Sequence, residues 1–158
     1  MLKISKLTDY ATGILSHMAR STEQSYTARD LMLQTHINLP TVMKLLKQLT
    51  KAQLLVSHRG SNGGYSLAKA PSAIPLIEII EAIEGQIALT ECSLKASQCS
   101  LELLCNTRDN WQTISQLLQV ALQQITLADM ARPLTMQPFQ IKLADKTFTT
   151  ELQANSGV

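Results

Sequence analysis

TARDLMLQTHINLPTVMKLLKQLTK, residues 27–51, reads as two helices joined by a turn of three residues. Thr27 is a good N-cap for a short helix over 28–35, with Ala28, Leu31 and Met32 facing inward. His36, Ile37 and Asn38 make the turn, and Pro40 falls in the first turn of the next helix, where proline is favoured. There Val42, Leu45, Leu46 and Leu49 recur at i, i+3, i+4 and i+7, so one stripe is apolar. The opposite face carries Thr41, Lys44, Lys47, Gln48 and Lys51. Two short helices, the second with a basic outer face, make a helix-turn-helix.

Upstream, Ala11, Ile14, Leu15 and Met18 form another helical stripe, predicting a helix over 8–20 capped by Thr8, with Asp9 suited to its positive N-terminal end. Downstream, Leu54–His58 and Tyr65–Ala68 read as strands around Arg59-Gly60-Ser61-Asn62-Gly63-Gly64, a loop built for a hairpin. Leu76 to Ile83 is apolar at helical spacing and stops at Gly85. Residues 86–107 look irregular. A long helix is expected from Asp109 to Met130, with Trp111, Ile114, Leu118, Ala121, Ile125 and Ala128 near one face. From Pro133 no element is readable. The expected fold is therefore mainly α with a small β-hairpin: a winged helix-turn-helix domain (1–85), a cysteine loop (86–107), a dimerisation helix (108–132) and a C-terminal tail (133–158).

Of the 158 residues, 45% are hydrophobic and 16% charged, enough apolar material for a packed core, built mainly from aliphatic residues because only six are aromatic. No apolar run of membrane-spanning length and no secretory leader is visible, so a cytoplasmic location without membrane association is expected. No nucleophile elbow, P-loop, zinc-protease motif or dinucleotide fingerprint occurs, which points away from an enzyme and from a small-molecule substrate. Charge is divided: nine basic residues face three acidic ones in residues 1–70, against five and nine in the remainder. A basic half joined to an acidic half fits a polyanion-binding module with an appendage.

Two constellations carry chemistry. In the first, Asn38, Thr41 and Lys44, with Pro40 in the same turn, lie where a recognition helix meets base edges or nearby phosphates. Lys47 and Lys51 suit the DNA backbone, and Gln48 either role. Arg59, with Gly60 and Ser61 on the loop tip, suits a minor groove. The competing reading is an ordinary solvated face with a flexible hairpin tip. In the second, Cys92, Cys99 and Cys105 fall within fourteen residues as C-x6-C-x5-C among polar neighbours. Thiolates so grouped can hold an iron–sulfur cluster, a zinc ion, or act as a thiol switch; buried structural cysteines are the plainer alternative. Three thiolates leave one ligand missing. His17, His36 and His58 lie outside the loop, and Asp9 is the candidate fourth ligand, or simply a favourable charge at a helix start. A protein-interaction scaffold built on the same elements is the reading from a different class.

With these residues in hand, the sequence resembles the Rrf2 family of bacterial regulators, which includes the Isc-type and Suf-type iron–sulfur-assembly regulators and the nitric-oxide-sensing type. The resemblance runs from Met1 to about Met130. It rests on Lys6-Leu7-Thr8-Asp9-Tyr10-Ala11, on Leu39 through Leu46, on Arg59 through Tyr65, on Ile79 through Gly85, on the three cysteines, and on Ile125 through Met130. Ile87 through Cys92 and Asn110-Trp111 look most like the Suf-type subgroup. The resemblance implies a homodimer on a partly symmetric double-stranded DNA operator, with the long helix crossing to the partner. It also implies a 2Fe-2S or 4Fe-4S cluster on Cys92, Cys99 and Cys105, and control, usually repression, of cluster-assembly genes. Isc-type members carry a histidine three positions after the third cysteine, where Arg108 stands here, and an acidic residue where Met43 stands. Nitric-oxide-sensing members carry an aspartate at the position of Asp9, which completes the site from the other subunit.

Overall fold

The structure, a computed structural model, describes residues 4–60, 63–90, 105–132, 140–143 and 146–149. Helix α1 (Lys6–Met18) is capped by Ser5, whose hydroxyl accepts from the amide of Thr8 at 3.3 Å. Thr8 is therefore not the cap that the sequence predicts. It is buried, and its hydroxyl donates at 2.6 Å to Glu84 Oε1 at the far end of the domain. Helix α2 (Ala28–Thr35) begins in a capping box: Thr27 and Asp30 exchange bonds that satisfy two orphan amides, as the reading of Thr27 requires. His36 closes α2 in the left-handed region at φ 58°. Helix α3 (Leu39–Lys51) starts at Asn38, whose Oδ1 accepts from the Thr41 amide at 3.0 Å.

Strands β1 (Leu55–His58) and β2 (Gly64–Leu67) pair antiparallel with Leu55 opposite Leu67 and His58 opposite Gly64. Tyr26 adds a third rung, exchanging backbone bonds of 2.9 Å with Tyr65. The polar segment before α2 thus anchors the hairpin, a role its composition does not announce. Gly64 is obligatory at this junction, since a Cβ there would lie 2.8 Å from the Tyr26 carbonyl oxygen. A 3₁₀ turn (Pro71–Ala73) leads into α4 (Leu76–Glu84), which stops at Gly85.

The helix expected over 109–130 is two helices. Helix α5 spans Arg108–Gln124 and α6 spans Leu127–Met130, because Ile125 and Thr126 are extended. The break is tied down twice over. Leu76 N donates to Ile125 O and Leu127 N to Ile74 O, both at 2.8 Å, while Thr126 and Asp129 form a second capping box. Ala128, expected in the long-helix seam, therefore belongs to α6. A second hairpin, β3 (Gln140–Leu143) with β4 (Lys146–Thr149), occupies part of the tail in which the sequence offers no readable element.

The core is a single cluster in which Ala11, Ile14, Leu15 and Met18 of α1 meet Leu31 and the α3 stripe of Val42, Leu45, Leu46 and Leu49. Leu54, Leu55, Ile74, Ile79 and, from α6, Leu127 close it. The stripes read from the sequence in α1 and α3 are the faces that are buried, whereas Trp111 and Ile114 of the stripe read in α5 stay exposed.

Candidate nucleic-acid interface and cysteine site

Burying one side of α3 decides what the other side presents. With Val42, Leu45, Leu46 and Leu49 in the core, Pro40, Met43, Lys44, Lys47 and Lys51 are exposed and Thr41 is half-buried. Three lysines at i, i+3 and i+7 lie along one face of the helix, without an acidic residue anywhere in it. Asn38 stands at the N-terminal tip of this face with its Oδ1 committed to capping, so only its amide NH2 is left for an outside partner. Gln48 sits less openly than the sequence implies: it is half-buried, and its Oε1 has neither solvent contact nor a hydrogen-bond partner. Met43, 58% exposed among the lysines, is the member of this face that charge-based reading passes over.

The wing completes the surface. Arg59 and Gly60 are exposed at the tip, where Gly60 adopts φ 116°, a conformation that L side chains rarely take. Ser61 lies outside the described residues. His58, at the base, bonds Ser66 Oγ at 2.8 Å across the strands. A helix with an open cationic face beside a hairpin led by arginine matches a DNA major groove and its flanking phosphates.

Of the cysteines, Cys105 is described, and Cys92 and Cys99 lie outside the described residues. Cys105 is half-buried just before α5, with its carbonyl accepting from the Arg108 amide at 3.3 Å. Its Sγ lies 3.5 Å from the Thr107 hydroxyl. That hydroxyl, then the Thr107 amide, hold the thiol below its ordinary value, with smaller help from Arg108. A thiol eased toward thiolate and open to solvent fits a soft-metal ligand. Among the described residues, no three His, Cys, Asp or Glu come together. Asp9 is exposed on the first turn of α1, and each histidine has a local partner or role: His17 packs edge-on against Tyr26, His36 caps α2 and His58 bonds Ser66.

The chain entering the cysteine loop is gripped by α5, a contact the sequence did not announce. Ser115 Oγ accepts from the Leu89 amide at 3.3 Å, and Gln119 Nε2 donates to the Ile87 carbonyl at 2.7 Å. The only sequence signal is a serine within the otherwise apolar flank of the helix. Nearby, Ile4, Ile80, Ile87, Leu89, Leu118 and Leu122 line an open cleft of about 420 Å³.

Together the recognition helix, the wing and the aliphatic core define a winged helix-turn-helix DNA-binding protein. Residues 4–133 match the model of the Rrf2 family, described as iron-dependent transcriptional regulators, and the chain belongs to that family. The protein rrf2 of Nitratidesulfovibrio vulgaris is 29% identical over 138 residues, covering 87% of this chain and 92% of its own. The HTH-type transcriptional regulator IscR of Erwinia tasmaniensis is 31% identical over 119 residues, covering 75% and 72% respectively. Among solved structures, IscR of T. potens superposes with a TM-score of 0.61 at 30% identity, covering 82% of this chain and 85% of that one. CymR, the global cysteine regulator of B. subtilis, gives 0.64 at 26% identity, with 83% and 97% covered. The chain is thus a DNA-binding transcriptional regulator, in a family whose named members are regulators and not enzymes. Among the described residues no helix is long and apolar enough to cross a membrane.

Proposed function

We propose that the chain acts in the cytoplasm as a homodimeric repressor of Suf-type iron–sulfur cluster assembly genes, binding a partly symmetric double-stranded operator. Sensing runs through an iron–sulfur cluster on Cys92, Cys99 and Cys105, with Asp9 reaching in from a second copy as the fourth ligand. The observation that carries this reading is the placement of Cys105: partly open, eased toward thiolate, and fixed at the start of α5. Relatives named IscR and a family described as iron-dependent support the same cofactor class. When bound, the cluster supplies an iron centre whose integrity depends on iron, oxygen and nitric oxide. Everything else falls to the chain. α3 and the wing hold the operator, with Asn38, Pro40, Thr41, Lys44, Lys47, Gln48, Lys51, Arg59, Gly60 and Ser61 as the contact set, while α5 separates two copies so that their recognition helices meet half-sites about one helical turn, ~34 Å, apart.

The test begins with oxygen-free purification, followed by visible absorption, iron and sulfide content, and operator binding with and without the cluster. Matched iron and sulfide together with a cluster-dependent change in affinity is the expected result. A protein that stays colourless and iron-free after reconstitution overturns the cofactor. The lowered Cys105 thiol then favours the second reading, a thiol switch on the same DNA-binding scaffold. On the DNA side, Lys47→Ala should reduce the slope of log affinity against log salt by about 0.9, the release of one phosphate contact's counterion.

A further inference from the structure

Within α3, Met43 is the large apolar side chain left in solvent. Val42, Leu45, Leu46 and Leu49 are wholly buried and Leu39 is half-buried, whereas Met43 is 58% exposed. A single exposed methionine is ordinary on a protein surface. Its setting is not. At about 100° per residue, Pro40, Lys44, Lys47 and Lys51 lie opposite the buried stripe, and Met43 stands only about 40° around from Lys47. Pro40, also exposed, precedes it by three residues, so the two side chains adjoin. They form an apolar spot in the N-terminal half of the helix, flanked by cations, with Thr41 and Gln48 on the far shoulder.

The core lies on the opposite side of the helix, so the chain itself does not cover this spot. Lysines beside it call for phosphates, and between the phosphates of a major groove lie the base edges. Those edges carry donors, acceptors and one apolar group, the C5-methyl of thymine. A thioether has no donor and accepts only weakly, so facing a guanine or an adenine it would desolvate polar atoms without pairing them. Facing a thymine methyl it loses nothing, and its three rotatable bonds let it settle there. The neighbouring Asn38 cannot take over the reading of adenine. Its Oδ1 is held by the Thr41 amide, and recognition of adenine through N7 and N6 needs both a donor and an acceptor.

We propose that Met43, backed by Pro40, is a specificity-determining residue that reads a thymine in the operator through its C5-methyl group. This goes beyond the cluster-sensing function and rests only on the part of it that lays α3 in the major groove.

The test enriches duplexes from random sequence by binding to the full-length protein. Each thymine of the enriched duplex is then replaced in turn by deoxyuridine, which removes the methyl and keeps every hydrogen-bonding atom. At one thymine in each bound site the replacement should weaken wild-type binding about fourfold, the worth of one buried methyl, and leave Met43→Ala binding unchanged. Met43→Ala should keep the wild-type salt slope and unfolding temperature, since it removes neither a charge nor a buried group. A repeat enrichment with Met43→Gln, which gains a donor and an acceptor at similar length, should move the preference from thymine toward adenine. Wild-type binding that tolerates deoxyuridine everywhere overturns the inference. So does an equal loss in wild type and Met43→Ala, which assigns the methyl to another side chain such as Thr41. A Met43→Ala protein that unfolds earlier makes Met43 a packing residue and overturns it as well. A full-length protein that enriches no sequence overturns both the inference and the placement of α3 in the groove. A protein that shows the thymine effect but takes up no iron or sulfide supports the inference while the cluster-sensing function fails.

Discussion

Helices α3 and α5 are of similar build, 13 and 17 residues long with apolar residues at helical spacing, yet they are stabilised in opposite ways. Every member of the α3 stripe is fully buried against α1, α2 and β1, so the helix finds its partners within the chain. Along α5 the corresponding positions Trp111 and Ile114 remain 41% and 44% exposed, and what holds the helix to 87–89 is a pair of polar bonds. The short α6, with Leu127 fully buried, belongs to the domain core more firmly than the helix four times its length. An amphipathic pattern thus says that a face will be covered. It does not say by what. For α3 the cover is the chain itself, and for α5 a second copy is the cover proposed here.

Breaking the comparison at its strong side should have the largest effect. Leu46→Ala would leave a cavity in the centre of the core and cost about 2–5 kcal/mol, read as a fall in thermal unfolding temperature that does not depend on protein concentration. On the other side, Trp111→Ala with Ile114→Ala should leave unfolding at low concentration nearly unchanged. It should weaken self-association by roughly tenfold or more, the scale of losing a buried aromatic anchor, as measured by analytical ultracentrifugation. Loss of monomer stability instead would show that α5 is packed like α3. Gly64→Ala sharpens the contrast within the DNA-binding unit: its Cβ meets Tyr26 backbone, so a cost of about 1–3 kcal/mol and a loosened wing are expected, measurable by amide exchange at Tyr65.

The smallest effect concerns the seam between the two regions. Glu84, at the end of α4, accepts from the Thr8 hydroxyl and the Ser5 amide, and these bonds, the Thr8 bond foremost, hold its carboxyl below the usual glutamate range. A lowered carboxyl contributes stability above the unfolded-state value that is lost as pH falls through the folded one. Glu84→Gln should therefore destabilise slightly at neutral pH, with the difference from wild type shrinking as acid titrates the Glu84 carboxyl and vanishing below its folded-state value. A difference that persists in acid would show that the charge is not what matters. The side chain is solvent-exposed, so high salt should also shrink the effect.

Much of the first region was legible because its signals are local. The stripes of α1 and α3, the Thr27 capping box and the glycine-bearing hairpin each span a few residues, and a local pattern needs no knowledge of what lies across the core. The cationic face of α3 followed from the same stripe, since burying one side exposes the other. Errors came where a local signal had competitors. Ser5 and Thr8 can both cap α1, and Thr8 was drawn away by Glu84, 76 residues later. The periodicity of 109–130 concealed the box of Thr126 and Asp129, readable in retrospect as a helix start within the pattern.

By itself, then, the sequence determined the winged helix-turn-helix, the basic recognition face and a cysteine-bearing segment followed by a helix with an apolar flank. Tertiary structure alone decided that the helix breaks at Ile125 and Thr126, where Ile125 and Leu127 bond Leu76 and Ile74, that Tyr26 carries the wing, and that Ser115 and Gln119 grip the chain before the cysteines. The physical reason is the same in each case. An apolar stripe is satisfied by any greasy surface and can be recognised without knowing which, whereas a hydroxyl, an amide or an extended backbone segment is satisfied by one particular atom, and packing alone determines which atom comes within reach.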